Sequence, residues 1–212
     1  RMIRGRSGDA ILYDGDVCLF EEGGWLNDRC INYVMERWKE RVPRGEMQFL
    51  DPTVLSFFLN QYDPEEGDNP LSDLFTHKGM RYVVMPLTNS IHDFAQTSNH
   101  WSLLVADNMD KKHYHFDSFA SSGNERIASK IASLIGEGTG LGKDVINIKN
   151  AAKQHNSYDC GVFVLATIDF LLRNIQTNKV IEEIYEPRDV TRKTEELRTE
   201  ILRSIEQDAK EA

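Results

Sequence analysis

Cysteine is scarce in this chain, with three among 212 residues and wide gaps between them. An odd, scattered set excludes a disulfide framework and a thiolate zinc cluster, and it suits a reducing compartment, cytoplasmic or nuclear. Long apolar runs are missing too. None approaches the ~18 residues of a membrane-spanning helix, so no membrane contact is expected, and no apolar signal segment stands at the start. Met2 reads as the natural start, with Arg1 a remnant ahead of it. Nor is there a basic stripe. The 25 Lys and Arg against 34 Asp and Glu leave a net charge of −9, which argues against nucleic acid as a partner. Repeats and low-complexity tracts are absent. The glycines between Gly136 and Gly142 fail as a phosphate loop. Walker spacing needs glycine where Glu137 stands and Ser or Thr where Asp144 stands, and the run follows a helical pattern instead of opening one. What remains is a chain of 40% hydrophobic and 28% charged residues. That composition supports one domain over residues 1–212, with an irregular arm at 1–24.

Within it, one polar loop feeds one apolar segment. Asn156, Ser157, Asp159 and Gly161 form turns, and the run from Val162 to Leu172 is apolar on nearly every face, which predicts a buried helix. Cys160 falls at the junction. A thiol there faces backbone N–H groups and the positive end of the helix dipole, an arrangement that favours the nucleophilic thiolate. The competing reading is a small buried hydrophobe, a common fate of free cysteine.

A cysteine nucleophile needs a histidine base and a group to orient it. The segment 100–106 and the segment 113–118 are β-prone, with a polar turn between them, and predict a hairpin. If the turn centres near Met109 and Asp110, residue 101 lies opposite about residue 118. His100 and Asp117 then share one open end, and an Asp carboxylate there would fix the imidazole tautomer. His113 and His115 share a strand face without an acidic partner in register. His155 is too near Cys160 in sequence to stand on a separate scaffold, and His92 reads as solvent-exposed.

These residues resemble a known family. His100-Trp101, Asp117-Ser118, and Gln154 followed by Asp159-Cys160-Gly161 are similar to the ubiquitin-like-protein-specific (Ulp/sentrin-specific) cysteine proteases. The runs His-Trp-Ser-Leu-Leu-Val and Gln-x-Asn-Ser-Tyr-Asp-Cys-Gly are closest to the deneddylase branch, and Trp25-Leu26-Asn27-Asp28 matches the N-terminal motif. The resemblance implies an α+β, papain-like architecture of the Ulp type, with a mixed central sheet flanked by helices. It implies His100, Asp117 and Cys160 as catalytic residues and Gln154 as an oxyanion donor. Trp25 and Trp101 would roof a tunnel for a Gly-Gly tail, and Asp28 would contact the modifier. No cofactor or metal is implied. For Trp25 a hydrophobic staple, and for Asp28 a helix cap, are the structural alternatives.

The implied activity is cleavage after the C-terminal Gly-Gly of a ubiquitin-like modifier, by a monomer. The net charge favours the arginine-bearing tail of the neddylation modifier over the acidic docking face that the desumoylating branch meets, an argument about steering. A desumoylating or dual-specificity protease is the alternative. Outside that class stand a Yop-type acetyltransferase, which uses Glu where Asp117 stands, and a non-catalytic modifier-binding module.

Elsewhere the pattern predicts a helix from Asn27 or Asp28 to about Val42, a strand at 47–50 and a helix from Thr53 to Gln61. An acidic surface loop follows at 63–70, then a helical turn at 71–75 and a buried strand at 82–87. The segment 88–99 reads as a mobile loop beside the cleft. Later come a helix from Glu125 to about Leu134, a flexible turn over 136–143, a strand at 145–148, a polar linker at 182–185 and an amphipathic helix from Thr191 to about Lys210.

Overall fold

Every residue of the strand Trp101–Asp107 is buried, on both faces. A strand wrapped so completely must be central, with a packed layer on each side. In the computed structural model, which describes residues 2–43, 45–61, 80–89, 100–119 and 122–211, this strand is the middle of five. The elements of the sheet are β3 (Met47–Phe49), β4 (Tyr82–Thr88), β5 (Trp101–Asp107), β6 (Lys112–Phe116) and β7 (Val145–Asn147), in the order β3-β4-β5-β6-β7. The outer pairs are parallel and the inner pairs antiparallel. The sheet is therefore mixed, and the fold is α+β. A separate hairpin, β1 (Ile3–Ser7) and β2 (Ala10–Tyr13), followed by one turn of helix, α1 (Asp14–Val17), makes up most of the N-terminal arm.

Side-chain alternation divides the core in two. Trp101, Leu103 and Val105 of β5 join one cluster, which contains α2 (Asp28–Trp38) and α5 (Cys160–Asn174). Leu104 and Ala106 join the other, with residues of α3 (Pro52–Gln61) and α4 (Asn124–Thr139). From Cys160 to Leu172 every residue of α5 is buried, which matches its all-round apolar sequence. The long α7 (Pro187–Glu211) covers α5 with Leu197, Ile201 and Ile205.

Four boundaries differ from expectation. The helix α4 does not stop near Leu134. It runs through Gly136 to Thr139, and Gly140, at φ +73°, ends it in the left-handed conformation that glycine tolerates. The expected flexible turn is thus helical in its first half. Most of the linker expected at 182–185 is instead part of a short helix, α6 (Ile181–Ile184), anchored by fully buried Ile181. The last helix starts a turn earlier than expected, with Pro187 at its first position. The helix α2 ends at Trp38 and tightens into a 3₁₀ turn over Lys39–Arg41. The acidic loop at 63–70, the turn at 71–75 and most of the segment 88–99, His92 included, lie outside the described residues.

Candidate active site

Hairpin register brings the first two groups together. Leu103 pairs with Phe116 and Asp107 with Lys112, and continuing that register past the strand end sets residue 101 opposite residue 118. His100 and Asp117 sit just beyond the ends of β5 and β6. There His100 Nε2–H donates to Asp117 Oδ1 at 2.7 Å. The same carboxylate oxygen accepts from the backbone N–H of Phe119 at 2.9 Å, and Oδ2 accepts from the Ser122 hydroxyl. The His100 backbone is pinned as well. Its N–H donates to Asn89 Oδ1 at 2.8 Å and its carbonyl accepts from Asn124 Nδ2 at 3.2 Å. Neither Ser122 nor Asn124 carried any signal in the sequence, because each acts from the start of another element.

The third group arrives from α5. Cys160 is its first residue, 2% exposed, and it stands near enough to the His100 ring to raise the basicity of the imidazole. With Nε2 committed to Asp117, Nδ1 is the ring nitrogen left over. Burial lowers the basicity of His100, but the hydrogen bond to Asp117 and the neighbouring Cys160 outweigh it, and its pKa is pushed up to about 9. Burial raises the Asp117 carboxyl, and its bonds to His100 and Ser122 more than reverse this, holding it below the usual carboxylate range. The pair is thus arranged to be charged near neutral pH.

The loop before Cys160 is closed by side chains. Asn156 Oδ1 accepts from the N–H groups of Tyr158 and Asp159 at 3.1 and 3.0 Å, and Asn156 Nδ2 donates to Asp159 Oδ2 at 2.7 Å. Gln154 is buried in this loop. Its Oε1 accepts from Ser118 Oγ at 2.6 Å and its Nε2 donates to the Asn156 carbonyl at 2.7 Å. A carboxamide owns two N–H donors, so one remains beyond that bond. The first rung of the α5 ladder is Phe163 N–H to the Asp159 carbonyl at 2.9 Å. The N–H of Cys160 lies ahead of it, at the helix end where donors point outward.

The two tryptophans do not share the surface equally. Trp25 is 40% exposed, whereas Trp101 is 5% exposed and its indole N–H donates to the Leu26 carbonyl at 2.8 Å. Trp25 presents its ring to solvent, and Trp101 holds down the residue beside it. The staple position before the helix cap belongs to buried Leu26, not to Trp25. The cap of α2 is Asn27, whose Oδ1 accepts from Cys30 N–H at 2.9 Å, so Asp28 is left at the first helical turn without the capping task. Phe119, 55% exposed, lies with its ring centroid 5.9 Å from that of His100. The sequence shows an aromatic directly after Asp117-Ser118, but only the folded structure exposes it and sets it beside His100.

The other histidines among the described residues are accounted for differently. His115 is buried, with Nδ1 on Asn147 Oδ1 at 2.8 Å and Nε2 on Ser102 Oγ at 3.0 Å. His113 is fully buried. His155 is exposed on the loop. Among the described residues no three His, Cys, Asp or Glu side chains gather to hold a metal ion, and no helix is long and apolar enough to cross a membrane.

Known proteins share the sequence pattern and the fold of this chain. A family model described as the Ulp1 protease family, C-terminal catalytic domain, matches residues 24–207. Human sentrin-specific protease 8 is 27% identical over 194 residues, which cover 87% of this chain and 89% of that protein. The probable sentrin-specific protease 8 of Dictyostelium discoideum is 30% identical, over 79% of this chain and 74% of that one. NEDD8-specific protease 1 of Arabidopsis thaliana is 25% identical, over 75% and 70%. Among solved structures, the C-terminal Ulp1 protease domain in complex with SMT3, the yeast ortholog of SUMO, superposes with a TM-score of 0.63. It is 17% identical and covers 95% of this chain and 89% of that one.

Proposed function

Since this chain belongs to the Ulp1 protease family and is a cysteine protease of that family, we propose that it cuts after the C-terminal Gly-Gly of a ubiquitin-like modifier, with the neddylation modifier preferred. The observation that carries this reading is the His100 imidazole bonded to Asp117 and neighboured by Cys160, which opens a buried helix.

The chemistry follows from that arrangement. His100 holds, as an imidazolium steadied by Asp117, the proton given up by the Cys160 thiol. The sulfur attacks the carbonyl of the terminal glycine, and the oxygen becomes negative. The backbone N–H of Cys160 and the remaining amide N–H of Gln154 are the donors assigned to it, each such donor being worth ~2.7–4 kcal/mol of barrier in comparable sites. The C–N bond breaks as His100 gives its proton to the departing amine, leaving a thioester. Water, deprotonated by His100, then attacks the thioester carbonyl. It releases the modifier with a free carboxylate and returns the thiol. A tail of two glycines fits because it has no side chain, so flat Trp25 can lie against bare backbone where a Cβ would collide.

Two kinds of support favour the neddylation modifier. Relatives across most of the chain include proteins named as NEDD8-specific, and the net charge of −9 suits a basic tail. The test is a panel of ubiquitin-like modifiers, each carrying a C-terminal electrophile. A covalent adduct at Cys160 with NEDD8, weaker with SUMO and ubiquitin, is expected, and Cys160→Ala should bind NEDD8 without cutting a C-terminal extension. Adducts with SUMO alone would reverse the preference. Cleavage by Cys160→Ala would end the cysteine mechanism.

A further inference from the structure

Arg198, on α7, is far from Cys160 in sequence, yet its guanidinium is committed wholly to the surroundings of the site. Nε and Nη2 donate to Asp159 Oδ1 at 3.1 and 2.7 Å. Nη1 donates to the carbonyls of Leu19 and Glu21 at 2.8 and 3.0 Å, and Nη2 to the carbonyl of Gly24 at 2.7 Å. A guanidinium owns five N–H donors in a rigid fork, and the five contacts account for them. The Tyr158 ring lies 5.9 Å from its central carbon.

The acceptors come from two separate segments. Asp159 immediately precedes Cys160 and is locked to Asn156 through its other oxygen. Leu19, Glu21 and Gly24 belong to the curled arm that immediately precedes Trp25. The curl is tight, since a Cβ on Gly24 would stand 2.3 Å from the Leu19 carbonyl oxygen, and it is what turns three carbonyls toward one cation. On the other side of Trp25, the Leu26 carbonyl is held by the Trp101 indole. The exposed ring of Trp25 therefore hangs between two anchored carbonyls, one of them fixed by Arg198.

We infer that Arg198 is a positioning residue that ties the Trp25 arm to the nucleophile's loop and thereby sets affinity for the modifier tail. The inference rests on the proposed function, because its readout is cleavage of a modifier. A lysine in its place can keep the charge contact with Asp159, but one compact ammonium cannot also reach three carbonyls arrayed around a fork. Arg198→Lys should thus free the arm while sparing the loop.

The experiment compares Arg198→Lys and Arg198→Gln with the wild-type chain, each with and without Trp25→Ala. The substrate is the C-terminal aminomethylcoumarin amide of NEDD8, or of SUMO if the wild-type chain prefers it. Iodoacetamide alkylation of the Cys160 peptide, followed by mass spectrometry, reports on the nucleophile without the arm, and thermal melts report on folding. For a folded variant, KM should rise on the order of tenfold, with kcat and the alkylation rate within about twofold, as expected when ground-state binding is lost. That rise should largely vanish in the Trp25→Ala background, because both changes act through one contact. An unchanged KM, an equal rise in both backgrounds, a parallel fall in alkylation, or unfolding of both variants at the assay temperature would overturn the inference. Should the wild-type chain cleave no modifier at all, it is the proposed function that fails.

Discussion

At the scale of single residues, the site depends on charges held out of water. His100 and Asp117 have side chains 14% and 15% exposed, so their attraction is only weakly screened. A histidine with its pKa raised from 6.5 to about 9 contributes stability that is complete below pH 6.5 and is lost as the pH rises through 9. An aspartate held below 3.8 contributes above that value and fails as the pH falls through its folded pKa. The pair is therefore worth most between about pH 4 and 6.5. Asp117→Asn should lower the melting temperature most in that window, with the gap to wild type closing above about pH 9. It should also cut kcat on the order of a thousandfold, since the amide cannot stabilise an imidazolium. Melts from pH 5 to 10 check the first statement, and a gap independent of pH would refute it. The pairing of these two residues is legible in the chain itself, because antiparallel register follows from the turn position. The exposure difference between Trp25 and Trp101 is not, since both are tryptophans beside short motifs and only packing separates them.

At the scale of elements, helix ends do the placing. The helix α2 is begun by Asn27, which accepts from Cys30 N–H through Oδ1 and donates to buried Asp16 through Nδ2 at 2.8 Å. Asp16 also takes the Arg29 guanidinium. One side chain thus joins a helix start to the arm that leads into Trp25. Asn27→Ala should cost ~1–2 kcal/mol, near the upper end for a cap because the Asp16 carboxylate loses a partner as well. Chemical denaturation checks this, and a loss below a few tenths of a kcal/mol would mean that water replaces both bonds. The sequence announces such an end by an Asn ahead of an apolar stripe. It does not announce α6 or the last turns of α4. Glycine at Gly136 and acidic residues at Glu182 and Glu183 read as breakers locally, and packing against the sheet and burial of Ile181 override that preference.

At the scale of the whole molecule, burying both faces of the sheet traps ionisable groups that solvent would otherwise hold at ordinary values. Burial lowers His113 to about 4 against a contact with the Gly142 backbone, and burial raises Asp107 to about 6. Between pH 6.5 and 4 the unfolded chain binds a proton at His113 that the folded chain refuses, so stability falls with pH there. Between pH 6 and 3.8 the folded chain keeps a proton at Asp107 that the unfolded chain releases, so stability rises as pH falls. The two slopes oppose one another at neighbouring positions of one hairpin. Removing the first by His113→Phe should reduce the acid-side loss of stability, by about 3 kcal/mol over the full window. Urea midpoints at pH 6.5 and 4.5 test it, and an identical pH dependence in variant and wild type would show that His113 is not the group responsible.

What the sequence determined alone is local and periodic. It set the all-apolar run behind Cys160, the hairpin that pairs His100 with Asp117, and the Asn at a helix start, because each depends on neighbours a few residues away. Tertiary structure decided which distant segments meet. That one arginine near the C-terminus closes a fork over the loop of Cys160 and the arm of Trp25 appears in no motif. Its acceptors are mostly backbone carbonyls, which every residue possesses and which only the folded path of the chain can aim at a single cation.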